Sequence, residues 1–127
     1  MQALLGAGVG IEAGVWTVAD AELLIRSGLA GRITRVMIEP VDVGPDDAVA
    51  LVSAIHDVLD RNDASVSRLQ HGDGDATWSL IKDAVARGID TRVGFEDTFL
   101  LANGRRAASN AELVRAAREL GAGHSGE

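Results

Sequence analysis

An arginine and two adjacent carboxylates, Arg92, Glu96 and Asp97, fall within the nine-residue stretch DTRVGFEDT (90–98). Such a set can neutralise itself as a structural ion-pair network. It can also serve a reaction, with one carboxylate moving a proton, an arginine holding it, and a second carboxylate offered to a metal. Three more polar residues close or punctuate apolar runs: Glu12 in GIEAGV, Glu39 in RVMIEP and His71 in RLQHG. Of the other histidines, His56 falls inside a helical pattern and His124 near the C-terminus, and neither reads as a ligand. Lys82 is the only lysine and lies mid-helix in WSLIKDAVARG, facing solvent, so Schiff-base chemistry is not expected.

The elements that must position these residues repeat one unit. VGIEAGVW reads as a strand, and TVADAELLIRSG follows as a helix with Thr17 and Asp20 spaced as a capping box and Gly28 at its end. RITRVMIEP is a second strand, and GPDDAVALVSAIHDVLDRN a second helix with Pro45 at its first position. SVSRLQHG and ATWSLIKDAVARG form the third pair, closed by Gly88. DTRVGFED is the fourth strand, and NAELVRAARELG the fourth helix, opened by Ser109 and Glu112 in a second capping-box pattern. Strict alternation with units of ~30 residues predicts parallel strands joined by helical crossovers. Strands that are half polar on one face suit a barrel, and a (β/α)₈ barrel takes about 250 residues; 127 residues make half of one. Residues 1–121 are expected to form this single domain, with 122–127 as a flexible tail.

Bulk composition narrows the function classes. The net charge of −7, from 12 basic and 19 acidic residues, argues against nucleic acid, and the few aromatics supply no stacking platform for bases. No apolar run approaches the roughly 20 residues of a spanning helix, and the N-terminal residues lack the basic and apolar regions of a signal peptide. The absence of cysteine excludes disulfides and thiolate metal sites and fits a cytoplasmic protein. GAGVG near the start resembles a phosphate loop only by its glycines, since it precedes a strand.

In parallel α/β folds the chemistry gathers at the C-terminal ends of the strands. Alternation along the fourth strand puts Arg92, Gly94 and Glu96 on one face and Val93 and Phe95 on the other, against helices. Glu12, Glu39, His71 and the Glu96/Asp97 pair are then expected at one rim. Each also has a plain structural reading: Arg92 as an ion pair, Glu39 as an acceptor for loop N–H groups, His71 as a strand cap, Asp97 as a turn former.

GVGIEAGVWTVADAELL, RVMIEP, LQHGDGDATW and above all TRVGFEDTFLLANGRRAASNAELV resemble the β-keto acid cleavage enzymes, which include the 3-keto-5-aminohexanoate cleavage enzyme of lysine fermentation. The resemblance covers nearly the whole chain and implies the C-terminal half, four β/α units, of a (β/α)₈ TIM-type barrel. It implies a zinc-dependent transferase that converts a β-keto acid and acetyl-CoA to acetoacetate and a new acyl-CoA. The glutamate of the R-x-G-x-E-D block ligates zinc in that family, which carries over to Glu96. The arginine and aspartate of the block work at the reacting carbon, which carries over to Arg92 and Asp97. A substrate-facing glutamate matches Glu12. No family role carries over to Glu39 or His71.

The family's other zinc ligands are an H-x-H pair, and no H-x-H occurs in this sequence. A catalytic zinc takes three protein ligands. The chain is therefore expected to be a split or truncated half without activity of its own, completed by a second copy or by a complementary N-terminal half-barrel chain. Two other readings stand beside it. One is a self-assembling half barrel without catalysis, and the other a rebuilt metal site of Glu39, His71 and Glu96.

Overall fold

The computed structural model describes residues 1–123; the expected tail falls mostly beyond them, with His124. A short N-terminal helix, α1 (Gln2–Gly6), precedes an alternating series. The series runs β1 (Glu12–Val15), α2 (Val18–Arg26), β2 (Arg35–Ile38), α3 (Pro45–Arg61), β3 (Arg68–Gln70), α4 (Thr77–Arg87), β4 (Asp90–Thr91) and α5 (Asn110–Glu119). The strands form one sheet in the order β1-β2-β3-β4, every pair parallel.

The helices begin and end where local chemistry requires. Thr17 accepts the Asp20 N–H, and the Asp20 carboxylate accepts those of Trp16 and Thr17, so orphan donors at the start of α2 are satisfied. Pro45 opens α3 with its fixed φ, and Asp46 and Asp47 add negative charge to its first turn. Gly88 ends α4 at φ 70°, a left-handed conformation that residues with a Cβ adopt at a cost. At α5, Ser109 accepts the Glu112 N–H, while the Glu112 carboxylate accepts from Ala108, one residue before the cap.

Register fixes what each sheet face carries. Ala13 pairs with Val36, Val15 with Ile38, and Ile38 with Gln70, so Val15, Val36 and Ile38 share the face on which the helices pack. Ala21 and Leu24 of α2, Val52, Ile55 and Leu59 of α3, and Leu80 of α4 complete that core. Each such buried Val, Leu or Ile contributes roughly 1.5–3 kcal/mol. The opposite face carries Glu12, Arg35 and Asp90 at its lower end: Arg35 lies 2.5 Å from the Glu12 carboxylate and 3.4 Å from that of Asp90.

The fourth strand departs from expectation. Only Asp90 and Thr91 pair with β3, and the chain then turns, with Gly94 accepting the N–H groups of Asp97 and Thr98. Arg92, Gly94 and Glu96 therefore share no strand face. Beyond Thr91 this edge has no ladder partner among the described residues, and the Asn110 side chain takes the Phe95 N–H instead. Val93 and Phe95 do pack inward, into a second cluster with Leu101, Ala107 and Leu113.

Candidate functional site

Each strand runs out into a short segment, and four of these segments supply a connected polar cluster. After β1, the Trp16 indole N–H donates to Glu39 Oε1 at 3.1 Å. After β2, Glu39 presents its second oxygen to His71 Nε2 at 2.9 Å. After β3, His71 turns its other nitrogen, Nδ1, toward Asp97 Oδ1 at 3.4 Å. After β4, Arg92 lies 3.7 Å from the same Asp97 oxygen and 2.6 Å from Glu96.

Backbone geometry makes room for this. An added Cβ at Gly14 would lie 2.8 Å from Glu39 Oε1, so the carboxylate occupies space that only glycine leaves open. Gly72, directly after His71, is packed against Leu80 and the Ala76 carbonyl. The Asp97 carbonyl accepts the Gly74 N–H at 2.8 Å, tying the loop after β3 to the loop after β4.

Burial gives the cluster its electrostatic character. His71 is 5% exposed and Asp97 8% exposed. His71 Nδ1 and Asp97 Oδ2 are both shielded from solvent without a hydrogen-bond partner among the described residues. Leaving a buried polar atom unsatisfied costs about 1–3 kcal/mol, and more when the group is charged. Burial, the largest influence on His71, opposes its charged form, and Arg92 opposes it too. The Asp97 carboxylate 3.4 Å away, with the Glu39 hydrogen bond in support, outweighs them, and the His71 pKa lies above its ordinary value.

The expected site residues divide. Glu39, His71, Asp97 and Arg92 converge as described. Glu96 is joined to them only through Arg92; its side chain is 69% exposed. Glu12 does not reach the rim. It opens β1 instead of closing it, opposite Arg35, about 13 Å of strand below Trp16. The rim residue of β1 is Trp16, which the sequence reading passed over. A tryptophan following a run of small residues at a strand end is the signal that would have found it.

Zinc fits poorly to these residues alone. Among the described residues no group of three His, Asp or Glu side chains is arranged to hold a metal. Both His71 nitrogens already face carboxylates, and Arg92 takes the Glu96 carboxylate. The set of Glu39, His71 and Glu96 is thus not assembled as a metal centre.

A second polar network lies on the helix side of the sheet. His56 is 2% exposed, with Nδ1 accepting from Arg68 at 2.9 Å and Nε2 2.8 Å from Gln70 Oε1. Arginine only donates, so Nε2 carries the proton. Gln70 donates in turn to the Leu80 carbonyl and to Asp83, which Arg87 also holds. Burial, foremost, and the nearby Arg87 and Arg68 keep the His56 pKa below its ordinary value despite the Gln70 hydrogen bond. Both ring nitrogens of His56 and both side-chain polar atoms of Gln70 are committed, and the network reads as structural.

No described helix is long and apolar enough to cross a membrane. The model of the family described as beta-keto acid cleavage enzyme matches residues 14–126. No curated protein matches the chain.

Proposed function

The chain belongs to the beta-keto acid cleavage enzyme family, and on that premise we propose that it works on a β-keto acid with acetyl-CoA as co-substrate, giving acetoacetate and a new acyl-CoA. The observation that carries this reading is Asp97, a buried carboxylate with Oδ1 toward His71 and Arg92 and Oδ2 without a hydrogen-bond partner but closed to solvent, so that substrate reaches it only by displacing a neighbour. The CH₂ of a β-keto acid lies between a ketone and a carboxylate, so its protons are unusually acidic. Asp97 takes one of them as general base. The carbon so freed forms a bond to the acetyl carbonyl and displaces the CoA thiolate. That thiolate then attacks the original keto carbon, the bond from that carbon to the former CH₂ breaks, and the carbanion so released takes the proton back from Asp97 and leaves as acetoacetate carrying the acetyl group. Arg92 is half-exposed and has N–H donors to spare for the substrate carboxylate.

Zinc, implied by the family resemblance, supplies carbonyl polarisation when bound. Glu96 is the one ligand proposed from this chain, and no step is drawn through the metal because the described residues do not complete its site. Glu12 is assigned to no step. Four parallel strands whose outer edges at β1 and β4 have no partner strand among the described residues fit half of a (β/α)₈ barrel. We take a second copy or a complementary chain to supply the remaining strands and ligands.

The test uses acetyl-CoA labelled in its acetyl group and a panel of β-keto acids, with the chain alone and with the complementary half supplied in trans. Label is expected in acetoacetate for at least one keto acid, and its appearance should be abolished by Asp97→Asn. No label under either condition would overturn the reading. A stable doubled mass without label or bound metal would instead favour a self-assembling half barrel without catalysis.

A further inference from the structure

We propose that His71 is the positioning residue for Asp97, held by Glu39 through Nε2 and directing an Nδ1–H at Asp97 Oδ1 so that Oδ2 is the oxygen left for the substrate. The catalytic consequence rests on the cleavage reading above; the arrangement itself does not.

Three observations carry it. Both imidazole nitrogens face carboxylate oxygens, Glu39 Oε2 at 2.9 Å and Asp97 Oδ1 at 3.4 Å. A neutral imidazole has one N–H and one lone pair, so between two carboxylates it would set a lone pair against an oxygen. An imidazolium presents an N–H to both, as a charge-assisted hydrogen bond at Nε2 and as an ion-pair approach at Nδ1, where the 3.4 Å contact makes no hydrogen bond. Second, Glu39 is itself fixed: the Trp16 indole holds its other oxygen at 3.1 Å, and Gly14 leaves the space it fills. Third, His71 and Arg92 approach the same oxygen of Asp97, and Oδ2 has no partner among the described residues.

The groups facing His71 come from two loops, Glu39 from the one after β2 and Asp97 with Arg92 from the one after β4. Neither carboxylate alone would fix the ring. With Glu39 removed, the ring could swing about its side-chain bonds and Asp97 could rotate its free oxygen toward Arg92. The Glu39–His71 pair thus assigns the two oxygens of Asp97 to different tasks.

Long-range ¹H–¹⁵N spectra of the ¹⁵N-labelled full chain at pH 7.5 test this, with the His71 signals identified by their loss in His71→Asn. Followed upward and downward from that pH, the wild-type ring is expected to keep both nitrogens protonated to a higher pH than an ordinary imidazole does. Glu39→Gln, which keeps shape and volume, is expected to move His71 to a single tautomer with the proton on Nδ1. A wild-type ring with Nδ1 bare overturns the proposal, as does a Glu39→Gln spectrum identical to wild type. The spectra do not depend on turnover. An expected spectrum from a chain that never labels acetoacetate would strike the cleavage reading and leave this arrangement standing.

Discussion

Glu39 Oε1 lies 2.8 Å from the position that a Cβ on Gly14 would occupy. The glycine on β1 and the carboxylate after β2 are thus mutually exclusive with any larger residue at position 14. The clashing atom is the far end of a flexible side chain, so Gly14→Ala can be accommodated by moving Glu39. Alanine in a strand also recovers part of the roughly 0.5–1 kcal/mol that glycine costs there. Stability is therefore expected to change by no more than about 1 kcal/mol, while the hydrogen bonds that Glu39 accepts from Trp16 and His71 are lost. Trp16 fluorescence and the His71 ring signals should shift together in this variant. Unchanged fluorescence alongside an unchanged melting temperature would mean that Glu39 does not occupy this place in solution.

Gly72 gives the opposite expectation from a similar distance. A Cβ there would lie 2.9 Å from Leu80 Cδ1 and 3.1 Å from the Ala76 carbonyl oxygen. Leu80 is fully buried in the main core, and Ala76 belongs to the short turn that leads into α4. Neither neighbour can move freely, so Gly72→Ala overpacks the core and should cost about 1–3 kcal/mol. Equilibrium denaturation would read this as a lower midpoint at unchanged slope. A loss under 0.5 kcal/mol, on the order of surface substitutions, would show the loop after β3 to be softer than its packing implies.

Helix boundaries were the most legible part of the sequence because they are set locally. Thr17 with Asp20, Pro45, Gly88 and Ser109 each act on backbone groups within a few residues, and each stands where its chemistry predicts. Glu39, His71 and Asp97 were legible as rim residues because apolar runs end on them. Glu12 was misplaced because VGIEAGVW is built from small residues whose alternation fixes neither the strand's start nor its face. The fourth strand read too long because Val93 and Phe95 do pack inward, as strand residues would, although a turn at Gly94 delivers them. The partners of His56 are invisible in sequence, since Gln70 and Arg68 reach it across two elements.

The two buried histidines predict a stability maximum near pH 6.5. His56 has a lowered folded-state pKa, so below its ordinary value of about 6.5 the unfolded chain takes up a proton that the folded one refuses. Its contribution is complete above that pH and is lost as pH falls through it. His71 has a raised folded-state pKa, so its contribution is complete below about 6.5 and is lost as pH rises through the folded value. Urea midpoints measured from pH 5 to pH 9 should fall on both sides. His71→Asn should flatten the alkaline limb only, and His56→Gln the limb just below pH 6.5. A limb that survives its own variant would assign it to another group.

Glu96 and Asp97 are neighbours in sequence with opposite expected sensitivities. Glu96 pairs with Arg92 at the surface, where such pairs are worth about 0.2–1 kcal/mol or nothing measurable. Glu96→Gln should therefore leave the melting temperature within about four degrees of wild type, so that any loss of bound metal or of turnover in the completed enzyme reports function directly.

Gln70 should be the most costly polar residue to replace, because it is fully buried and joins three elements. It accepts from His56 on α3 and donates to the Leu80 carbonyl and to Asp83 on α4, while its own backbone lies in β3. Gln70→Leu keeps the volume but strands the His56 N–H and one Asp83 oxygen contact in a buried site. With about 1–3 kcal/mol for each of these two groups, a loss of roughly 2–6 kcal/mol is expected. Gln70→Glu keeps the acceptor for His56 but removes both donors and sets a second carboxylate 2.8 Å from Asp83 Oδ2. It should be worse than leucine at neutral pH and recover as the pH falls and the pair shares a proton. Midpoints for both variants at pH 7.5 and pH 5 decide the matter: a glutamate variant as stable as wild type at pH 7.5 would mean that Asp83 does not approach this position.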